Sequence, residues 1–516
     1  MTQPSLRLYD TLTSQLQPVV PRHAGEARIY CCGPTVYDDA HVGHARAALA
    51  PDVLVRHLRS QGLRVTYVRN LTDVDDKILN RAAEAGEEPP VLATRMAARY
   101  QEDIGALGCV PPDIEPKVSG HIPQIITMIE RIVSNGAGYV VELENGTKDV
   151  YYAVRSFARY GQLSGRRIDD MRVGARIEPS ERKHDPLDFA LWKGCDEKAW
   201  GWPSPWGRGR PGWHIECSAM STEYLGHGFD VHCGGMDLIF PHHENEIAQA
   251  EAARPDEGPF VQMWMHNGFV NVDKEKMAKS LGNFVTIRDV YQRYDPEALR
   301  YFLLGVHYRG PIAFDTEKLE DGRVVFPGVA EAERRIDYLY AILERLGELA
   351  READGAGDEV PKELAATAKL VGEAPARLTA ALDDDLNSTV GLAVVGELAK
   401  QANELCDLAL KRRKDARFRQ AASRLATRAL ATLRQLLEVL GLCRAEPEAF
   451  RARTQARRLG LLGIEPAAIE RLITERRDAR AAKDFERADR VRQELTALGI
   501  EIADSATGTT WRVGVR

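Results

Sequence analysis

The opening third of the chain alternates between two hydrophobic rhythms. Ala27–Cys32 (ARIYCC) is a short apolar run bounded by the turn residues Gly33 and Pro34, which predicts a buried strand. From about His44 to Ser60, Ala47, Ala48, Val53, Leu54 and Leu58 recur at helical spacing, and Gly62 stands where such a helix would stop. Leu63–Val68 (LRVTYV) then predicts a second strand. A strand–helix–strand unit of this kind predicts a doubly wound, Rossmann-like parallel sheet, with ligands beyond the carboxyl ends of its strands. Between about 110 and 210, proline and glycine are frequent and periodicity is poor, which predicts an insertion. The α/β rhythm returns with Phe229–Cys233 and Phe260–Met265 as strands and Pro241–Ala253 as a helix. From about 316 to 450 the apolar positions are helical throughout, as in a bundle, with an exposed loop expected at 351–361. The last segment, from about 466, is charged and helical to Leu498. It ends in a stretch around Trp511. The expected division is a catalytic α/β domain over 1–315, a helical bundle over 316–450 and a small domain over 466–516.

At 516 residues the chain exceeds a single ordinary core, which agrees with that division. The net charge of −7 does not mark a nucleic-acid binder. From residue 451 onward, however, 14 Lys and Arg stand against 10 Asp and Glu, the reverse of the whole-chain balance. There is no secretory signal pattern and no apolar run long enough to span a bilayer, so a cytoplasmic protein is expected. The eight cysteines are scattered over a long chain, which suits free thiols or metal ligands better than a disulfide framework.

Three groups of residues carry candidate chemistry. His41-Val42-Gly43-His44 falls at the start of the first helix, where unpaired N–H groups and the helix dipole suit phosphate. Gly43 would let a base approach the backbone. Read alone, the tetrapeptide is also compatible with two surface histidines. Lys276-Met277-Ala278-Lys279-Ser280, with Gly282 after it, suits a mobile loop closing over a polyphosphate, or else a solvated basic loop. Cys32, Cys217, His242 and Glu246 offer two thiolates, an imidazole and a carboxylate. His242 and Glu246 are four apart and face one way on a helix. The set suits Zn²⁺, although no CxxC pair supports it, and buried cysteines packing as small hydrophobes would look the same. No HExxH is present, which argues against a zinc peptidase.

In this order and setting, the first two groups resemble the HIGH and KMSKS signatures of class I aminoacyl-tRNA synthetases, with Val42 and Ala278 as departures. Four further stretches resemble the cysteinyl-tRNA synthetase family, and the likeness extends over nearly the whole chain. They are Cys32–His44 (CGPTVYDDAHVGH), Asn70–Lys77 (NLTDVDDK), Pro211–Met220 (PGWHIECSAM) and Phe240–Ala248 (FPHHENEIA).

The resemblance implies ATP-dependent activation of L-cysteine and its transfer to tRNA(Cys). Cys32, Cys217, His242 and Glu246 then match ligands of one zinc ion per chain. Trp213 and His232 match residues lining the cysteine pocket, and Thr72 one that helps hold the amino acid. Lys279 matches a lysine that contacts ATP. His41, Gly43, His44 and Lys276 would serve the nucleotide, with Mg²⁺ accompanying it. His243, Glu244 and Asn245 are expected to support the ligands rather than join them. Asp383–Asn387 (DDDLN) resembles a motif of the family's anticodon-stem bundle. Lys483–Asp489 (KDFERAD) and Gly508–Arg512 (GTTWR) resemble its anticodon domain, where Trp511 could stack on a base. The resemblance also leads us to expect a monomer. A related cysteine ligase with a small amine acceptor is the competing reading, and the basic, Trp-containing tail argues against it. A tRNA-binding relative that has lost catalysis would lack some of these histidines, lysines and ligands, and all are present.

Overall fold

A computed structural model describes residues 6–143, 146–168, 182–272, 275–276, 284–320, 322–354, 360–505 and 508–515. Its centre is a parallel sheet of β1 (Glu26–Cys31), β2 (Arg64–Arg69), β3 (Phe229–Gly235) and β4 (Val261–Asn267), in the order β4-β3-β1-β2. The helix α1 (Val42–Ser60) connects β1 to β2. The chain returns much later to place β3 on the other side of β1, in the register Tyr30 to His232 and Cys31 to Cys233. The strand order therefore reverses between β1 and β3, and a crevice opens beyond their carboxyl ends.

Strand alternation sends successive side chains to opposite faces. Ile29 and Cys31 join α1 in one core. Tyr30 and Cys32 join a second core with α2 (Trp213–Leu225) and α3 (Glu244–Ala253). The sheet is thus covered on both faces, which explains why its strands read as continuous apolar runs.

The structure adjusts several sequence expectations. Cys32 lies just past β1 rather than inside it. The Pro241–Ala253 helix begins as a wide turn over Ile239–His243, with non-helical backbone at Phe240, and becomes regular only from Glu244. Among the described residues of the insertion, a helix over Ile122–Ser134 precedes an antiparallel sheet of Gly138–Glu142, Lys148–Tyr152, Phe189–Gly194 and Gly209–Pro211. Its short, glycine-punctuated strands obscure their own periodicity. An N-terminal hairpin, Arg7–Asp10 with Gln15–Pro18, was not anticipated.

The bundle comprises Pro327–Ala350, Ala365–Asp383, Ser388–Lys411 and Ala416–Leu440. The loop expected at 351–361 is described only at its ends, 351–354 and 360–361. The DDDLN stretch forms the joint between bundle and sheet domain. Asp383 meets His57 of α1 at 2.8 Å, and Asp385 accepts from Tyr308 at 2.7 Å and pairs with Arg309. Asn387 caps the helix Ser388–Lys411. A second tie is Arg300, which pairs with Asp52 inside the sheet domain and whose Nε donates across to the Leu440 carbonyl of the bundle at 2.8 Å. The C-terminal segment breaks at Ala482–Asp484 into two helices, Pro466–Ala481 and Phe485–Ala497. A hairpin of Ile500–Ser505 and Gly508–Val513 follows, and this unit has a small core of its own. Among the described residues, no helix is long and apolar enough to cross a membrane.

Candidate active site and metal centre

The start of α1 is built by its two histidines. His41 is the N-cap, and its Nδ1 accepts from the Gly43 N–H at 3.1 Å. His44 reaches back, its Nδ1 accepting from the His41 N–H at 3.2 Å. The rings stack with centroids 3.7 Å apart. These side chains therefore do the work that Ser and Glu do in an ordinary capping box. Accepting at Nδ1 leaves each neutral ring its proton on Nε2.

The chain that follows the lysine loop docks on this helix start. Val42 N–H donates to the Val285 carbonyl at 3.2 Å, Ile287 N–H donates to Ala40 at 2.8 Å, and Phe284 lies edge-on to His41 at 5.0 Å. Lys276 pairs through its backbone with Asn271 in a short antiparallel strand. Residues 277–283, Lys279 among them, lie outside the described residues.

At the carboxyl ends of β1 and β3, four candidate ligands converge. Cys32 Sγ is 3.5 Å from Cys217 Sγ, 3.6 Å from His242 Nε2 and 3.4 Å from Glu246 Oε1. His242 Nε2 and Glu246 Oε1 are 3.1 Å apart. All four ligand atoms lie within 4.8 Å of one another. An ion about 2.0–2.3 Å from each of four ligands needs ligand atoms about 3.3–3.8 Å apart, so the cluster is close to the required size. A second set, Cys32, His232, His243 and Glu246, meets the same distance test. The two share Cys32 and Glu246.

The electrostatics fit a cation site. Burial pushes the Glu246 carboxyl up, but His232 and His242 outweigh it and hold it down at about 2. Burial lowers His242, yet Glu246 and Cys217 raise it to about 10. The Cys32 thiol, donating to Cys217, holds Cys217 at about 6 against burial, while burial pushes Cys32 itself well up. A divalent cation in this dry pocket would bind the Cys217 thiolate and the Glu246 carboxylate and take the place of the protons held by His242 and Cys32.

The remaining expected residues surround this centre. The Trp213 ring lies 4.4 Å from that of His242. His232 Nε2 engages the other carboxylate oxygen of Glu246 at 2.9 Å and stacks on Trp264. Thr72 Oγ1 accepts from Asn70 Nδ2 at 3.2 Å. Asn70 in turn receives the Gly33 N–H at 2.8 Å, and its Oδ1 lies 3.7 Å from Cys217 Sγ.

Residues 18–324 match the family model for the catalytic domain of class I (C) tRNA synthetases, 377–444 that for the DALR domain, and 465–512 that for the cysteinyl-tRNA ligase anticodon-binding domain. A cysteine–tRNA ligase of Anaeromyxobacter dehalogenans (strain 2CP-C) is 50% identical over 513 residues, spanning 99% of this chain and 100% of that protein. The chain belongs to the cysteine–tRNA ligase family. A further relative, the cysteine–tRNA ligase of Geobacter sulfurreducens, is 46% identical over 511 residues, with 99% of this chain and 100% of that protein covered. A solved methionyl-tRNA synthetase of Mycobacterium tuberculosis, in complex with methionyl-adenylate, superposes with a TM-score of 0.61 at 16% identity. It covers 86% of this chain and 94% of its own. At that identity the likeness speaks for the fold alone.

In this cysteine–tRNA ligase family member, several residues of the centre escaped the sequence reading. His214 Nδ1 lies 3.0 Å from His242 Nδ1 and orients that ring. His243 Nδ1 meets His266 Nε2 at 2.7 Å, and His266 Nδ1 meets Thr11 at 2.7 Å. His214 stood within the quoted PGWHIECSAM stretch. His266 had no motif around it, and only strand pairing brings it near. Glu244 accepts backbone N–H groups of Gly161 and Ser164, each at 2.9 Å, and Asn245 accepts from Tyr160. Both thus fasten the insertion to the helix that carries Glu246.

Proposed function

We propose that this ligase activates L-cysteine with ATP, releasing pyrophosphate, and transfers it to the terminal ribose of tRNA(Cys), with a thiolate-selective Zn²⁺ centre choosing the amino acid. The observation that carries this reading is the buried Cys32–Cys217–His242–Glu246 cluster at the sheet's switch point, on the same edge as the start of α1.

Cys32, Cys217, His242 and Glu246 would hold the metal. This set supplies two soft sulfur donors where the alternative supplies one, and it leaves His232 to orient Glu246. Zn²⁺ bound there prefers a soft thiolate to a neutral hydroxyl, which separates cysteine from serine where pocket shape cannot. Trp213 and Thr72 would shape and hold the amino acid beside it, His232 supporting from behind. His41, Gly43 and His44 would meet the nucleotide at the α1 terminus, their N–H groups and rings facing charge that grows on the phosphates. Lys276 and Lys279 would close on that charge with Mg²⁺–ATP bound. The reaction needs no covalent enzyme intermediate: the cysteine carboxylate displaces pyrophosphate at the α-phosphate, and a ribose hydroxyl then displaces AMP. The bundle and the basic C-terminal unit would bind tRNA. Trp511 would contribute one face of its ring, its Nε1 already donating to Glu470 at 2.7 Å.

Amino-acid-dependent ATP–pyrophosphate exchange followed by tRNA acylation tests the reading. Exchange with cysteine but not serine, then acylation of tRNA(Cys), is expected. Exchange without acylation would favour a small-acceptor ligase, and no exchange by the zinc-loaded protein would refute catalysis. Cys217→Ser is expected to lose zinc and cysteine activation together. Zinc remaining near one per chain in that variant would overturn the ligand set.

A further inference from the structure

Arg46 follows His44 by two residues on α1, and only 3% of it is exposed. Among the described residues, its hydrogen bonds all go to backbone carbonyls. Nη1 donates to the Leu303 carbonyl at 3.2 Å, in the last turn of the helix Pro296–Leu304. Nη2 lies among the carbonyls of His307, Tyr308 and Gly310 at 2.7, 3.1 and 2.8 Å, and shares its two N–H groups between them. The end of a helix leaves carbonyls unpaired and carries partial negative charge, which suits a cation. A planar guanidinium spans the helix end and the loop after it with two nitrogens, whereas a lysine offers one.

The loop held in this way seats the strand that leads to Lys276. Gly268 N–H donates to the Tyr308 carbonyl at 2.8 Å, and Ile312 N–H donates to the Phe269 carbonyl at 2.9 Å. Val270–Val272 then runs parallel to Ile312–Phe314, and Glu275–Lys276 pairs back on Asn271 and Val272. The approach at Gly268 is close: a Cβ there would fall 2.4 Å from the Gly310 carbonyl oxygen and 2.5 Å from that of Arg309. Val270, Val272, Ile312 and Phe314 share a core with α1. Apolar packing sets the spacing of such layers but is non-directional, so it does not set how far one slides along the other. Directional hydrogen bonds do, and Arg46 supplies them from the helix that carries His41 and His44. Further along, the chain at Val285 and Ile287 bonds directly to the start of the same helix.

We propose that Arg46 is a positioning residue for adenylate formation. It fixes the strands Val270–Val272 and Glu275–Lys276 against the start of α1, so that groups on both bear on the same phosphates. This inference rests on the nucleotide reading above. Adenylate formation needs both elements in place, and a misplacement of about 1 Å at a reacting group lowers a rate by about 100-fold. Cysteine binding at the metal centre does not involve Lys276. Once pyrophosphate has left, the transfer step no longer carries the charge that Lys276 would meet.

The test compares full-length, zinc-loaded Arg46→Lys, which keeps the charge but not the two-nitrogen grip, with the parent. Cysteine-dependent pyrophosphate exchange reads adenylate formation, and single-turnover transfer from pre-formed cysteinyl-adenylate to tRNA(Cys) reads the second step. Expected are an exchange kcat lowered about 10- to 100-fold, a KM for cysteine within about twofold of the parent and a transfer rate within about threefold. Equal falls in exchange and transfer would make Arg46 a general support of the fold and overturn the assignment, as would an unchanged exchange rate. Gly268→Ala displaces the same strand with Arg46 left in place, so it is expected to give the same split even should Arg46→Lys fail to fold. Exchange at the parent rate in that variant would also overturn the proposal. The double variant is expected to lose no more than the more impaired single, because both changes act on one strand, and multiplied losses would refute that shared route. A parent protein that does not exchange with cysteine would instead refute the function proposed above, and one that exchanges no better than Lys276→Ala would refute the nucleotide placement, so the failures are separable.

Discussion

Arg300 offers a sharp test of how the sheet domain and the bundle are joined. The side chain is fully buried, its Nη2 meeting Asp52 Oδ2 at 2.5 Å and its Nε donating to the Leu440 carbonyl at 2.8 Å. Gly441 stands against it in left-handed backbone, φ 66°, and a Cβ there would fall 2.4 Å from the guanidinium. Burial lowers the Arg300 pKa, but Asp52 outweighs it and keeps the group charged.

In Arg300→Met the apolar stem is retained while the ion pair and the carbonyl's donor are lost. Breaking a buried pair from one side costs about 3–5 kcal/mol. Asp52 keeps both contacts to Arg56 at 3.1 Å and the Val110 N–H at 2.7 Å, which places the cost near the lower end. A loss of about 3 kcal/mol corresponds to a fall of about 3–5 °C in the melting temperature of a body of about 315–450 residues, the size of the sheet domain with or without the bundle. Calorimetry is the assay, with Asp52→Asn and the double variant completing a cycle. The double variant is expected to be less destabilised than the sum of the singles. A shift below about 2 °C, or strict additivity, would refute the reasoning. Because Leu440 ends a bundle helix, tRNA acylation is expected to fall more than pyrophosphate exchange.

Other expectations follow from single groups. Lys279→Ala is expected to depress adenylate formation by about 100- to 1000-fold while cysteine binding changes little, and equal losses in both would refute its role at the phosphates. His57 is buried and its pKa is lowered by burial, against the opposing effect of the hydrogen bond it donates to Asp383. The unfolded chain, titrating at about 6.5, then binds a proton that the folded protein resists, so stability is full above that pH and is lost as pH falls below it. His57→Gln is expected to flatten the stability profile between about pH 6.5 and 5, as read by urea denaturation at several pH values. An unchanged slope would assign the acid sensitivity to other groups.

Local pattern alone determines much of this protein. The β1–α1–β2 unit was legible because each buried strand is a short apolar run and α1 repeats its apolar positions at helical spacing. The bundle was legible for the same reason. The candidate ligands were legible as residue types carried on short motifs, since Cys32, Cys217, His242 and Glu246 each sit in one. The convergence of those motifs was not, because it depends on a crossover of nearly 160 residues that lays β3 beside β1 and brings Cys32 within 3.5 Å of Cys217. Strand alternation then separates neighbours in sequence, sending Cys32 to the site and Cys31 to the opposite core.

Only the tertiary structure decided which histidines support the ligands. His214, His232 and His266 lie on different elements, and their hydrogen bonds link residues 14 to 28 positions apart. Sequence specifies which groups are available and the period on which they recur. Long-range packing determines which of them share a dry pocket, and there the low dielectric turns proximity into chemistry.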